Sequence, residues 1–425
     1  MEMTKPIDVE KDVNIHLEDR NKSLSFFWFI WLLYAVVYMT KNCYNGAMAS
    51  IVAEGTLTKS QTGLISAMFY LVYAPLQIVG GMISDRFSPE RMIKIGLVGA
   101  ALANAVIFFN QNYYVMMGAW IFNAAVQFGI WPSVFKIISA QLVRSERKKM
   151  VYLISFSSYG GMILSYIIAA VVHAWEYNFA VSAVSLLALA VGLHLFERKL
   201  TPFWKWDAPL KAAAEDVDAG LKKIPTKKIF RASGLFFVVI GVIFATTVNQ
   251  SRSSLAPIMF VENYNSISPS VGNFLNIFTI LASMSGTLIA GKFLSNVKNE
   301  VTVICIVYGF MLPLLAICRF VGVLPVPMIM ICLCAVAAMD SVNATMRNYY
   351  NVHFAKYGKS GTVAGICNAG MSLSFMIAAY VMPKLVELYG WSALITLWPV
   401  LIAISIALNL FAIRPCRKFR TQGVQ

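Results

Sequence analysis

The chain has 425 residues, of which 58% are hydrophobic and only 13% charged, with 35 Lys and Arg against 20 Asp and Glu for a net charge of +15. Its mean hydropathy of +0.67 exceeds what a soluble domain can bury, so a water-soluble enzyme or binding module is excluded and a bilayer is implied. The basic excess alone would suit nucleic acid, but the placement of the cations, given below, removes that class.

Residues 1–24 are polar and of mixed charge and read as an N-terminal tail, with no cleavable leader expected. Apolar stretches long enough to cross about 30 Å of hydrocarbon then follow at 25–45, 60–83, 91–110, 113–138, 150–172 and 177–196. The first carries Tyr38, Lys41 and Asn45, the second Tyr73 and Gln77, the fourth Gln127 and the fifth Ser157. Residues 201–230 are rich in Lys, Asp, Glu and Pro and read as a connector. Six more stretches follow at 232–254, 267–292, 301–319, 324–346, 361–383 and 389–413. Asn249, Gln250 and Arg252 lie in the seventh and Asp340 in the tenth. The expectation is an all-α integral membrane protein of twelve transmembrane helices, with bundles over 25–200 and 231–414, a linker at 201–230 and a tail at 415–425.

All the Lys and Arg except Lys41, Lys59, Lys136, Arg252, Arg319 and Lys384 fall in the segments on one side of this zigzag, and Lys136 lies within a span at its end on that same side. That asymmetry is the positive-inside pattern, which puts both termini in the cytoplasm. The net charge therefore reports topology. Lys136 and Arg347 fall at cytoplasmic span ends, where topology anchoring is the favoured role.

The two halves align on each other. Gly81 corresponds to Gly291, Gly161 to Gly370, Lys136 to Arg347 and Lys41 to Arg252, all at offsets of 209 to 211. Such a parallel repeat implies a substrate site near the midplane and alternating access by rocking of the halves. A cation at membrane depth is costly without a partner or a task. Lys41 and Arg252, one in each half, are thus candidates for a central anion site, with snorkelling toward the interface as the bland alternative.

Acids are informative by their scarcity: Asp340 alone lies deep in an expected helix, while Glu54, Glu176, Glu262 and Glu387 fall in outer loops or helix ends. One buried carboxylate is slight support for proton-driven symport, so exchange of anions is the simpler expectation; Asp340 either takes protons or pairs with an arginine. Seven cysteines and four histidines show no ligand spacing, and no phosphate-binding Gly loop or nucleophile with a matched base is present. No metal, cofactor or enzymatic activity is expected.

Gly81-x-x-x-Asp85-Arg86 followed by Pro89-Glu90-Arg91 resembles the loop between helices two and three of the major facilitator superfamily. The resemblance implies a twelve-helix transporter with a gating latch at Asp85, Arg86, Arg91 and Arg147. Tyr38-Met39-Thr40-Lys41, Trp131-Pro132 before Lys136, and Arg144-Ser145-Glu146-Arg147 leading to Gly160-Gly161 resemble the organophosphate:phosphate antiporters, the glycerol-3-phosphate and hexose-phosphate transporters. The second half matches more loosely, at Ala256-Pro257 and Gly361-Thr362-Val363-Ala364-Gly365. In that family the first helix carries an arginine where this chain has Lys41, and the seventh carries one at Asn249, a turn before Arg252. Gln77 stands where some members have lysine and Ser157 where some have histidine.

The resemblance therefore implies a secondary transporter of a small organic anion, a sugar phosphate or else a sugar acid or other carboxylate. Inorganic phosphate is the implied counter-substrate. The substrate-binding set is Lys41, Arg252, Tyr38, Asn45, Tyr73, Gln77, Gln127, Ser157, Asn249, Gln250 and Asp340. The expected location is a bacterial inner or plasma membrane, with the lipid bilayer as the other partner and the monomer as the working form. A membrane-embedded sugar-phosphate sensor and an exporter of neutral solutes or drugs remain as alternatives.

Overall fold

The structure, a computed structural model, describes residues 15–84, 88–138, 142–143, 145–172, 174–206, 226–293, 297–354 and 360–422. The latch residues Asp85 and Arg86, together with Arg144 and Ser295, lie outside the described residues, as do the side chains of Gln77 and Arg147. Helices dominate: α1 (Arg20–Ala53), α2 (Lys59–Ser84), α3 (Pro89–Phe109), α4 (Tyr113–Gln127), α5 (Ile130–Lys136), α6 (Arg147–Val171) and α7 (Tyr177–Leu200) form the first series. The second series is α8 (Thr226–Ser233), α9 (Leu235–Asn263), α10 (Pro269–Phe293), α11 (Glu300–Ile317), α12 (Val326–Val352) and α13 (Ser360–Gln422). Nine helices among the described residues are long and apolar enough to cross a membrane. With α13 divided at its kink, and α2 and the α4–α5 pair added, helices stand at all twelve expected spans.

Helix ends follow local chemistry. Asp19 accepts from the amides of Asn21 and Lys22 at the start of α1, and the Lys22 ammonium bonds its other oxygen at 2.6 Å. Those bonds, the Lys22 side chain first, hold the Asp19 carboxyl below its ordinary value. Asn112 caps α4 through the Tyr114 amide, and Asn299 caps α11 through Val301 and Thr302. Pro89 occupies the first turn of α3, where its missing N–H is harmless. The fourth expected span is broken into α4 and α5 at Phe128 and Gly129, because Pro132 cannot donate to the carbonyl four residues back. Inside α13 the chain turns at Gly390, whose φ of 78° and ψ of 175° suit glycine alone.

The described β structure is one antiparallel ladder, β1 (Ile15–Leu17) on β2 (Trp204–Trp206). It joins the segment before α1 to the segment after α7 and lay outside the sequence reading.

By packing, the chain divides into two compact units. The first contains Met1–Tyr44, Val72–Ile168 and Ala174–Glu215. Its core gathers Phe26, Phe27 and Ile30 of α1, Ile93 and Leu97 of α3, Ile130 and Val134 of α5, and Leu186 and Leu193 of α7. Helix α6 reaches α1 closely because Gly161 lacks a side chain: a Cβ there would stand 2.1 Å from the Ala35 carbonyl oxygen and 2.6 Å from Tyr38 Cβ. Trp31 Nε1 donates to the Leu153 carbonyl across the same contact. Ion pairs Arg20–Glu146 and Lys94–Glu197 join helix ends in this unit.

The second unit contains Asn45–Leu71, Ala169–His173 and Asp216–Gln425. Its core includes Leu235, Val238 and Val242 of α9, Val301 of α11, Tyr350 of α12, and Val363 and Ala412 of α13. At one end of this unit Glu300 is fully buried, and its Oε1 meets both His353 Nε2 and Arg420 Nη1 at 3.0 Å. Large apolar side chains elsewhere face outward, such as Ile95, Leu102 and Phe109 on α3 and Ile306 and Phe310 on α11. Outward rows of this kind suit hydrocarbon better than water.

Candidate functional site

Helix α1 continues to Ala53, eight residues past the expected end of the first span, so Lys41 lies near the middle of a 34-residue helix. Its Nζ donates to the Tyr73 hydroxyl at 2.7 Å and lies 5.6 Å from the centre of the Tyr38 ring. Tyr38 in turn meets the Tyr34 ring edge to face, and Tyr34 packs on Trp131. Tyr38, Lys41 and Tyr73 thus form one aromatic setting in the first unit, in which the ammonium is steadied by a neutral hydroxyl and ring faces.

Gln127 and Ser157 are fully buried elsewhere in that unit. Gln127 donates to Asn123 Oδ1 one turn back, and Ser157 donates to the Ile154 carbonyl of its own helix. Neither makes a described bond to Lys41, Tyr38 or Tyr73. Arg91 is exposed on α3.

Helix α9 extends to Asn263, well past the expected boundary at 254, so Arg252 also lies inside a helix. It is 2% exposed, and its Nη2 donates to Asn249 Oδ1 at 2.7 Å. The two residues identified as successive positions on one helix face therefore bind each other. Asp340 on α12 is buried and interacts electrostatically with both Arg347 and Arg252. Arg347 is buried as well, with Nη1 on the Tyr308 hydroxyl at 2.9 Å. Arg347, placed at a span end from sequence, lies on α12, which runs six residues beyond the expected end at 346. Arg347 is one of the arginines that Asp340 was expected to pair with, and Tyr308 is the member of this cluster that the sequence pattern did not single out.

A small cavity, also within the second unit, brings together Asn45 and Gln250 with Ser66, Tyr70 and Ser254, walled by Met48, Ala379 and Pro383. Ser66 Oγ is buried without a hydrogen-bond partner among the described residues. All five polar residues are uncharged at neutral pH. Ser66 and Ser254 were not among the expected site residues; the signal available was their apolar-helix setting alone, which is shared by many structural hydroxyls.

Beside this cavity the start of α2 is tied to α9 and α13. Lys59 Nζ lies 2.7 Å from Glu262 Oε2, and Trp391 Nε1 donates to that same oxygen at 2.8 Å. Ser60 donates to Glu387 Oε2 through its amide at 2.9 Å and also through its hydroxyl. Asn273 of α10 donates to the Gly46 carbonyl. Glu262 and Glu387, read from sequence as outer-end acids, thus tie the start of α2 to α9 and α13.

A model of the Major Facilitator Superfamily matches residues 30–323. The membrane sensor protein UhpC of Salmonella typhimurium is 26% identical over 275 residues, covering 62% of this chain and 62% of that protein. A probable hexose phosphate transport protein of Chlamydia pneumoniae is 22% identical over 291 residues, covering 63% of each chain. The matches thus span less than two thirds of those relatives. A bacterial homologue of the human lysosomal transporter Spinster, solved in an inward-facing and occupied conformation, superposes with a TM-score of 0.73 over 93% of this chain and 98% of its own, at 11% identity. That likeness carries the fold.

Proposed function

The chain belongs to the Major Facilitator Superfamily, and on that premise we propose that it carries a small organic anion across the membrane by alternating access. The observation that carries the proposal is Lys41, a cation well inside a helix long enough to cross a membrane, whose ammonium is held by the Tyr73 hydroxyl and aromatic rings. A hydroxyl orients a lysine without cancelling its charge, so the ammonium remains available to an anionic group. Arg252, oriented by the neutral Asn249 amide, is the matching cation from the second repeat.

The substrate class follows from the neutral groups. Asn45, Ser66, Tyr70, Gln250 and Ser254 offer amide and hydroxyl partners of the kind that sugar hydroxyls need, which favours a sugar phosphate or sugar acid. The relative named as a hexose phosphate transport protein supports the phosphate. Lysine in place of a forked guanidinium lowers the demand for a bidentate phosphate and admits a carboxylate. Exchange against inorganic phosphate is the proposed mode, with both termini cytoplasmic.

Proteoliposomes holding the purified chain and internal phosphate provide the test. Uptake of labelled hexose phosphate or hexuronate, competed by external phosphate, is expected; indifference to every anion would contradict the proposal. A second reading, a sensor, is favoured by the resemblance to a protein named as a membrane sensor. It is distinguished by ligand binding without counterflow.

A further inference from the structure

The last turns of α13 carry two kinds of side chain on one outward face. At about 3.6 residues per turn, Leu410, Phe411, Arg414, Arg417 and Lys418 fall within about a third of the helix circumference, and all five are exposed. Ala412, Cys416 and Phe419 point the other way, into the core of the second unit. The outward stripe therefore runs from large apolar side chains into three cations. At a rise of about 1.5 Å per residue, Lys418 lies about 10 Å beyond Phe411. A headgroup layer is about 5 to 8 Å deep on each face of a bilayer, so with Phe411 at the edge of the hydrocarbon the cations stand at headgroup level.

Helix α8 brings more cations to the same end. Its Ile229 is buried in one cluster with Cys416 and Phe419, while Lys228 and Arg231 are exposed. The chain comes closest at Gly234, where a Cβ would stand 3.2 Å from Ala412 Cα and from Pro415 Cβ. Two residues on, the exposed Phe236 meets Phe237, and Phe237 packs on Phe411. Two exposed aromatic rings thus adjoin five exposed cations drawn from two elements.

These cations lack acids. No Asp or Glu occurs at 226–261 or at 388–425, and none of Lys228, Arg231, Arg414, Arg417 and Lys418 makes an ion pair among the described residues. Arg420 shows the contrast on the same helix: its Nη1 meets the buried Glu300 at 3.0 Å and the carbonyls of Val297 and Lys298. Arg20 and Lys94 in the first unit likewise meet Glu146 and Glu197. Like charges three and four residues apart on a helix, as Arg414 is from Arg417 and Lys418, repel each other. Topology asks only that cations lie on this side of the membrane. Their alignment with exposed apolar side chains and their want of acids call for anionic charge at the level of the headgroups.

We propose that this end of the second unit binds anionic phospholipid, with headgroup phosphates on the cations of α13 and α8 and acyl chains on Phe236, Leu410 and Phe411. Clusters of about four to eight cations beside a membrane helix have the composition of such sites. Guanidinium groups suit the phosphate because they present paired N–H donors. Bound lipid ties α8 to the end of α13 from outside, as the Ile229 and Phe419 cluster does from within.

The test titrates the purified full chain, in a neutral detergent, with phosphatidylglycerol or phosphatidylcholine and follows the unfolding midpoint. Phosphatidylglycerol is expected to raise the midpoint at concentrations about tenfold or more below those at which phosphatidylcholine acts; equal responses to the two lipids would overturn the proposal. A cation near an anionic surface contributes about fivefold in affinity. The triple variant Arg414→Gln, Arg417→Gln, Lys418→Gln is therefore expected to need about a hundredfold more phosphatidylglycerol, and an unchanged titration would overturn the assignment. Lys149→Gln with Arg198→Gln and Lys199→Gln removes three exposed cations of the first unit and is expected to leave the titration as it is. An equal loss there would show diffuse attraction and overturn the site. Glycerol 3-phosphate carries the phosphate without acyl chains, and it is expected to move the midpoint of the wild type and of the α13 triple variant alike. A response lost only in that variant would make this a site for free phosphate and overturn the lipid reading. If the triple variant does not fold, Lys228→Gln with Arg231→Gln decides by the same readout: a rise of about twenty-fivefold in the phosphatidylglycerol required is expected, and no rise would overturn the proposal.

Discussion

Lys41 Nζ and the Tyr73 hydroxyl lie 2.7 Å apart, joining α1 to α2 by a bond between a cation and a neutral group. The bond fixes where the charge points while preserving its sign. Replacing Tyr73 by Phe keeps the ring and removes the acceptor. A hydrogen bond to a charged group contributes about 1.5 to 3 kcal/mol, so the half-saturating anion concentration is expected to rise by about tenfold or more, with the maximal rate less affected. Initial rates over a substrate series check this.

Lys41→Arg separates charge from geometry. The guanidinium keeps the charge and adds a fork suited to phosphate. The variant is expected to remain active and to shift preference from carboxylates toward phosphate esters, read as a change in the ratio of their competition constants.

Arg347 and Asp340 lie on α12 and act on each other electrostatically. Arg347→Leu leaves a buried carboxylate with less compensation and is expected to cost about 3 kcal/mol of stability. Arg347→Leu combined with Asp340→Leu is expected to recover part of that loss, because the uncompensated charge is gone. Thermal unfolding of the single and double variants in detergent gives the coupling.

Gly161 admits no side chain beside the Ala35 carbonyl. Gly161→Leu is expected to separate α6 from α1 at a cost of about 1 to 3 kcal/mol, or more where the helices cannot shift. The same unfolding assay reports it, and an unchanged midpoint would show that this contact is softer than its geometry implies.

Much of the fold was legible because its signal is local. Runs of about twenty apolar residues mark the helices, and the repeat offsets tie the halves together. Boundaries were less legible. Helix α12 outruns its apolar core by polar residues, whereas α1 and α9 resume small and apolar residues after the polar stretches 41–45 and 249–254, where a hydropathy pattern ends too early. For that reason Lys41 and Arg252 were read close to span ends, as was Arg347, whose guanidinium meets the Tyr308 hydroxyl.

The bond between Asn249 and Arg252 was legible as a spacing of three on one helix. The contact of Lys59 with Glu262 and of Ser60 with Glu387 was not. Those partners lie hundreds of residues apart, and only tertiary structure joins them. Gln127 shows the converse: a polar residue in a span suggests a cavity, but its bond to Asn123 is within one helix and is the commoner use of such a side chain.

Counterflow of labelled hexose phosphate into phosphate-loaded proteoliposomes, compared between wild type and Lys41→Gln, tests the central claim most directly. The expected result is robust counterflow for the wild type and its loss in the variant, with the variant folded and inserted as judged by its unfolding midpoint. Counterflow at the wild-type rate in Lys41→Gln would contradict the account.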